Sequence, residues 1–144
     1  MKRRLSLALV ALAALAGTAT LLLAGGGGAS AAPIPRDTYS NCLTHAQSTF
    51  DMDQCVGNER KRLKPLLAAA YNKLLHDPVS NAHRKHQIAL SEKAWTSYEK
   101  RDCAYAGSAA QGGTLQPIIQ GECLVDRTRT RIKDLRAFAV PLGR

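Results

Sequence analysis

At 144 residues the chain has room for one domain and a targeting segment, and no room for two sizeable cores. It is 45% hydrophobic but holds only two Phe and one Trp, so an aromatic-rich core is excluded and packing must rest on Leu, Ala, Ile and Val, with Trp95 the largest single piece. Twenty Lys and Arg against 11 Asp and Glu give a formal net charge of +9, which favours anionic partners over cationic ones.

The chain opens on Lys2, Arg3 and Arg4, followed by a nearly unbroken apolar run from Leu5 to Ala24. Gly25 to Gly28 then break any helix, and Ala29-Ser30-Ala31 supplies an A-x-A cleavage pattern. About 20 apolar residues can also span a bilayer; the glycines and the A-x-A favour removal of residues 1–32 as a signal peptide. The first cysteine, Cys42, lies too far from the run to be acylated. The expected product is therefore secreted or held in the cell envelope, is not a lipoprotein, and has no stable membrane span. Without the leading basic residues the Lys+Arg count falls from 20 to 17, leaving a net charge of about +6. The remaining chain can bury roughly two thirds of its unfolded surface, a modest core.

Residues 33–38 read as a short linker and 39–140 as one helical domain. A first helix is expected from about Tyr39 to Ser48, carrying Cys42, Leu43 and Ala46 on one side. Ser48 with Asp51 three residues on resembles a capping box and predicts a second helix from about Phe50 to His76. Its apolar stripe is Met52, Cys55, Val56, Leu63, Leu66, Leu67, Ala70, Tyr71 and Leu74. Pro65 lies inside it and predicts a kink or a break, and Asp77-Pro78 ends it. A third helix starts at Ser80 or Asn81, either of which can cap it, and runs to about Tyr105. Ile88, Leu90, Ala94, Trp95, Tyr98 and Cys103 are expected to face inward. Gly107 to Gly113 reads as a loop. The fourth helix begins between Thr114 and Pro117 and stops before Pro141, with Leu124, Thr128, Arg131 and Leu135 on one face. No stretch alternates like a strand. The fold class is all-α, a small bundle of about four helices tied by two disulfides.

Four cysteines in a short exported chain read as two disulfides, for which three connectivities exist. The sequential one, Cys42 to Cys55 and Cys103 to Cys123, closes two short loops and fits a helical hairpin between Ala94 and Leu135. Each such bridge stabilises by about 3 kcal/mol in the chain-entropy account. A zinc site is the competing reading, against which stands the lack of any C-x-x-C spacing.

The pattern resembles the LprI-like domain, a bacterial exported family that includes a lysozyme inhibitor. The resemblance rests on Cys42, Met52-Asp53-Gln54-Cys55, Leu67, Tyr71 and Leu74, then Ala94-Trp95, Tyr98 and Cys103. It continues through Gly112-Gly113-Thr114, Pro117, Cys123-Leu124, Asp126-Arg127-Thr128 and Arg131, and covers about Asn41 to Phe138. It implies an α-helical fold and no catalytic residues, with Trp95, Tyr98, Thr128 and Arg131 as structural motif positions. The chain departs from the family at Lys64 and Ala68, where an acid and an amide are usual. It departs again at Glu99-Lys100, where the order of charges is reversed; any pairing with Arg127 or Arg131 must then be rearranged.

No enzyme site assembles from the sequence. His83 and His86 stand three apart and could ligate a metal in principle, but Arg84 and Lys85 flank them and no carboxylate lies within a turn, so a solvated basic face is expected. His45 and His76 lack partners in sequence. Asp51 and Asp53 suit a helix start. No cofactor or metal is expected. Two basic runs, Glu59 to Lys64 and Arg127 to Arg136, read as solvated faces; they lack interleaved aromatics, which disfavours nucleic acid. Two readings of function follow. One is an inhibitor that occludes the cleft of lysozyme or another muramidase, with Gly112, Gly113 and Thr114 at the tip of a binding loop. The objection is that animal-type lysozymes are themselves strongly basic, and like charges face to face are costly. The other is a basic module held on anionic cell-envelope polymers. On the blander view the glycines only turn the chain and Thr114 caps the fourth helix.

Overall fold

The computed structural model describes residues 37–139. The signal peptide expected at 1–32, residues 33–36 of the expected linker and the stop at Pro141 lie outside the described residues; 37 and 38, expected in the linker, already belong to the first helix. Four helices follow one another: α1 Asp37–His45, α2 Thr49–Leu75, α3 Ala82–Ser108 and α4 Gln116–Phe138. No strand occurs among the described residues.

Local chemistry sets the boundaries. The Ser48 backbone is extended, with φ −142° and ψ 162°, and its hydroxyl accepts from the Asp51 N–H at 3.1 Å. Asp51 Oδ2 in turn accepts from Ser48 Oγ at 2.7 Å and from the Gln47 N–H at 3.2 Å. This reciprocal cap satisfies donors that the first turn leaves orphaned. Because Gln47 and Ser48 belong to that cap, α1 stops at His45 rather than at Ser48. Asn81 caps α3 by accepting from the Arg84 N–H at 2.9 Å. Pro65 does not break α2, which runs through it without interruption. The ring and the carbonyl it leaves unpaired fall on an exposed stretch, where water can serve as the partner.

The core forms between α2 and α4. Leu63, Ala70 and Leu74 meet Val125, Ile132 and Leu135, with Tyr39, Leu66, Leu67, Tyr71 and Ile88 packed around them. Each fully buried Leu, Ile or Val stabilises the fold by about 1.5–3 kcal/mol. Gly121 of α4 lets the helices approach: a Cβ there would fall inside 3.0 Å of Val56 Cγ1, closer than real Cβ atoms come. The two disulfides are Cys42–Cys55, with Cα atoms 5.8 Å apart, and Cys103–Cys123, at 5.4 Å. The sequential connectivity is thus the one formed.

The third helix departs from expectation. It packs on α4 and barely meets α2, so only a narrow stripe of it is covered. Its buried residues are Cys103 and Gly107. Leu90 is 48% exposed and Tyr98 50%. Ala94 is also exposed, and Trp95 is only half-buried. Trp95 is therefore not the centre of the core, which consists of aliphatic side chains. The expected loop also starts later. Gly107 lies inside α3, where a Cβ would come within 3.0 Å of Gln120 Cβ and 3.1 Å of the Gln116 carbonyl. Close helix packing, not chain reversal, calls for glycine there.

Candidate functional site

The arginines of α4 show what holds the bundle and what is left over for binding. Residues 127 and 131 lie one turn apart and reach α3, while 129 falls on the opposite side and reaches α2. Arg127 Nε donates to Asp102 Oδ2 at 2.8 Å and its guanidinium lies 5.7 Å from the Tyr98 ring centroid. Arg131 Nε donates to Glu92 Oε2 at 2.9 Å, its Nη2 donates to Ser91 Oγ at 2.9 Å, and it stands 5.7 Å from the Trp95 ring. Arg129 Nη2 donates to Glu59 Oε1 at 2.7 Å and lies 4.9 Å from the Tyr39 ring. Thr128 donates to Glu99 Oε1 at 2.8 Å. Each of these three arginines thus has a carboxylate partner and an aromatic face, and Arg129 also lies 3.9 Å from Asp126 Oδ1.

This overturns the reading of the second basic run as a solvated face. Arg129 and Arg131 are buried, and so is Glu59, expected at the head of the first such run. Burial alone would raise the Glu59 carboxyl, but hydrogen bonds from Arg62 and Arg129 outweigh it and hold the group below its ordinary value. Tyr39, pushed up to about 12 by burial and then by Glu122, has a buried hydroxyl without a hydrogen-bond partner. Trp95, Tyr98, Thr128 and Arg131 do come together, along the α3–α4 seam. The rearranged pairing at Glu99-Lys100 is visible too: Glu99 takes Thr128, and Arg127 turns to Asp102.

Beyond the seam two features remain. The first is the tip joining α3 to α4. The Gly113 N–H donates to the Ala110 carbonyl at 2.9 Å, and the Gln116 N–H to the Gly113 carbonyl at 3.1 Å. The Gly112 N–H donates to Gln116 Oε1 at 2.8 Å. Gly112 has φ +79°, a conformation that side-chain-bearing residues rarely adopt. Gly112, Gly113 and Thr114 are all exposed. Thr114 does not cap α4: the cap position is Leu115, with no side-chain bond, and Pro117 sits in the first turn. Leu115 is 47% exposed and Tyr105, on the last turns of α3, 82%. From Ala104 to Gly121 there is no charged residue, in a chain that is 22% charged. That blank was legible in the sequence, since it needs only a scan for missing charge.

The second is an open groove of about 420 Å³ lined by residues of α2, α3 and α4. These are Gly57, Arg60, Lys61, Lys64 and Leu67 of α2, Glu99 of α3, and Leu124 and Thr128 of α4. Burial raises the Glu99 carboxyl, partly opposed by the Thr128 hydrogen bond. The histidines have no side-chain partners in the bonds they form: His45 and His76 bond backbone carbonyls, and His83 and His86 are exposed. Asp102 with Cys103 and Cys123 forms a metal-like grouping, but both sulfurs are joined to each other and Asp102 holds Arg127.

A family model described as "Lysozyme inhibitor LprI" matches residues 40–135, more than half of the chain and nearly all of the helical unit. An uncharacterized protein of Rhizobium meliloti is 30% identical over 80 residues, which span 55% of this chain and 58% of that protein. No solved structure matches the chain. The two disulfides fit an extracytoplasmic location. Among the described residues no helix is long and apolar enough to cross a membrane.

Proposed function

The chain belongs to the LprI lysozyme-inhibitor family, and from that premise we propose that it is an exported protein that binds a lysozyme or related muramidase through the α3–α4 tip. The observation that carries this reading is the charge-free, exposed, disulfide-braced segment around Gly112, Gly113 and Thr114. Association of two basic proteins is slow and costly where their charges face each other. A tip without charge, flanked by exposed Tyr105 and Leu115, removes that cost at the point of contact and offers apolar surface to a cleft. The Cys103–Cys123 bridge at its base and the Gln116 bond to Gly112 hold the tip in shape, which lowers the ordering cost of binding. In this reading the leading segment directs export and is removed, and domain 39–140 acts alone.

The test is lysis of cell walls by lysozyme with increasing amounts of the protein. Wild type slows lysis, and a variant with Gly113→Arg and Thr114→Arg, folded by circular dichroism, does not. Equal inhibition by both would move the contact away from the tip. A second reading is attachment to anionic envelope polymers, favoured by the exposed cations Arg60, Lys61 and Lys64 on one stretch of α2. Steep loss of envelope binding with added salt would support it.

A further inference from the structure

The outer face of α3 carries groups that neither the core nor the seam uses. The helix has three acids, and all of them turn to α4: Glu92 binds Arg131, Glu99 binds Thr128 and Asp102 binds Arg127. Its exposed charges are therefore cationic, at Arg84, Lys93, Lys100 and Arg101. Tyr98 and Tyr105, 50% and 82% exposed, share one side of the helix roughly 10 Å apart along its axis. Arg127 stands 5.7 Å from the Tyr98 ring centroid and still leaves half of that residue open. Arg101 falls between the two tyrosines, one turn from each. It is exposed and, among the described residues, joins no ion pair or side-chain hydrogen bond. With Ala94, Ser97 and Asp102 these residues line an open depression of about 640 Å³. Asp102 has its charge matched by Arg127 at 2.8 Å, so Arg101 supplies the unmatched charge of the lining.

Two open aromatic rings with a free cation between them select a ligand that has both apolar faces and an anionic group. A second copy of this chain would set cations against cations, which is costly. A plain polyanion would satisfy Arg101 and gain nothing from the rings. A sugar bearing a carboxylate does both. The C–H face of a pyranose stacks on the negative face of an aromatic ring, and a carboxylate takes two parallel bonds from a guanidinium. The roughly 10 Å between the tyrosines exceeds one sugar ring, so only a longer saccharide engages both. We propose that the outer face of α3 binds an acidic oligosaccharide, with sugar rings on Tyr98 and Tyr105 and a uronate-type carboxylate on Arg101. The proposal requires neither lysozyme binding at the tip nor attachment through the α2 cations.

The experiment is titration of the purified, oxidised protein with tetragalacturonate at physiological salt, read by calorimetry. Saturable binding is expected. Maltotetraose, which lacks the carboxylates, and polyglutamate, which lacks the sugar rings, should each bind at least about tenfold more weakly. Tyr98→Ala keeps every charge and should weaken tetragalacturonate at least about fivefold. Arg101→Gln should weaken it at least about tenfold, the scale of losing charge-assisted contacts. Melting should be unchanged for Arg101→Gln, whose side chain holds nothing in the fold, so this variant decides the matter even where Tyr98→Ala disturbs the seam. A control pair, Arg60→Gln with Lys64→Gln, should bind as wild type. Absence of saturable binding, equal binding of maltotetraose or polyglutamate, or full affinity in Arg101→Gln would each overturn the proposal. So would loss of binding in the Arg60/Lys64 variant alone, which would assign the anion to α2.

Discussion

Gly121→Ala is the sharpest probe of how α2 and α4 pack. The new methyl would fall inside 3.0 Å of Val56 Cγ1, on a side chain only 2% exposed. Val56 has little room to rotate, because β-branched side chains in helices hold one χ1 rotamer. The helices must therefore part, at an overpacking cost of about 1–3 kcal/mol. Replacing a helical glycine by alanine offsets about 1 kcal/mol of this. The single variant should lose about 0–2 kcal/mol, a range too wide to decide anything alone. The decisive quantity is the double-mutant cycle with Val56→Ala. That truncation removes the clashing methyl and should itself cost about 2 kcal/mol. In its background the methyl added by Gly121→Ala has space, so only the gain in helix propensity remains. The double variant should then be about 1 kcal/mol more stable than Val56→Ala alone. Urea titration with the disulfides intact, with unchanged m-values, measures each corner. Additivity within about 0.5 kcal/mol would refute the close contact.

Other expectations follow from the buried charges. Glu59→Leu leaves Arg129 buried with only the exposed Asp126 at 3.9 Å in place of its close, buried partner, and should cost about 3 kcal/mol in a denaturant titration. Because the Glu59 carboxyl is held below its ordinary value, its contribution is present above the unfolded-state value of 4.5 and is lost as pH falls through the lower folded value. Melts of Glu59→Gln should therefore lose less stability on acidification below pH 4.5 than wild type does. Glu99 has the opposite sign. Its raised carboxyl takes a proton more readily in the folded state, so the charge is unfavourable above the folded value and is relieved below it. Glu99→Gln should raise Tm at neutral pH, with the gain shrinking in acid, as scanning calorimetry would show.

The helix count, the caps at Ser48 and Asn81 and the α2 stripe were legible because they depend on neighbours in sequence. The disulfides were legible because short loops leave few choices. Which face of α3 is buried was not, since that depends on which helices it touches. Trp95 and Tyr98 have the right spacing for a core stripe, yet their rings lie beside Arg131 and Arg127 at the seam. The same limit hid Glu59. Among Arg60, Lys61 and Arg62 it reads as part of a solvated run, and only Arg129, 70 positions away, accounts for its burial. At the tip the glycines were visible, but the absence of a Thr114 cap was not, because Pro117 can start a helix without one.

The central claim is that a neutral tip lets this basic protein meet a basic lysozyme. It is tested most directly by measuring their Kd as ionic strength rises, for wild type and for Tyr105→Lys with Leu115→Lys. Screening weakens the long-range repulsion while leaving an uncharged contact intact, so wild-type affinity should hold or improve with salt, and the double variant should bind weakly at low salt. Wild-type affinity that falls steeply with salt, or a double variant that binds as tightly as wild type, would contradict the account.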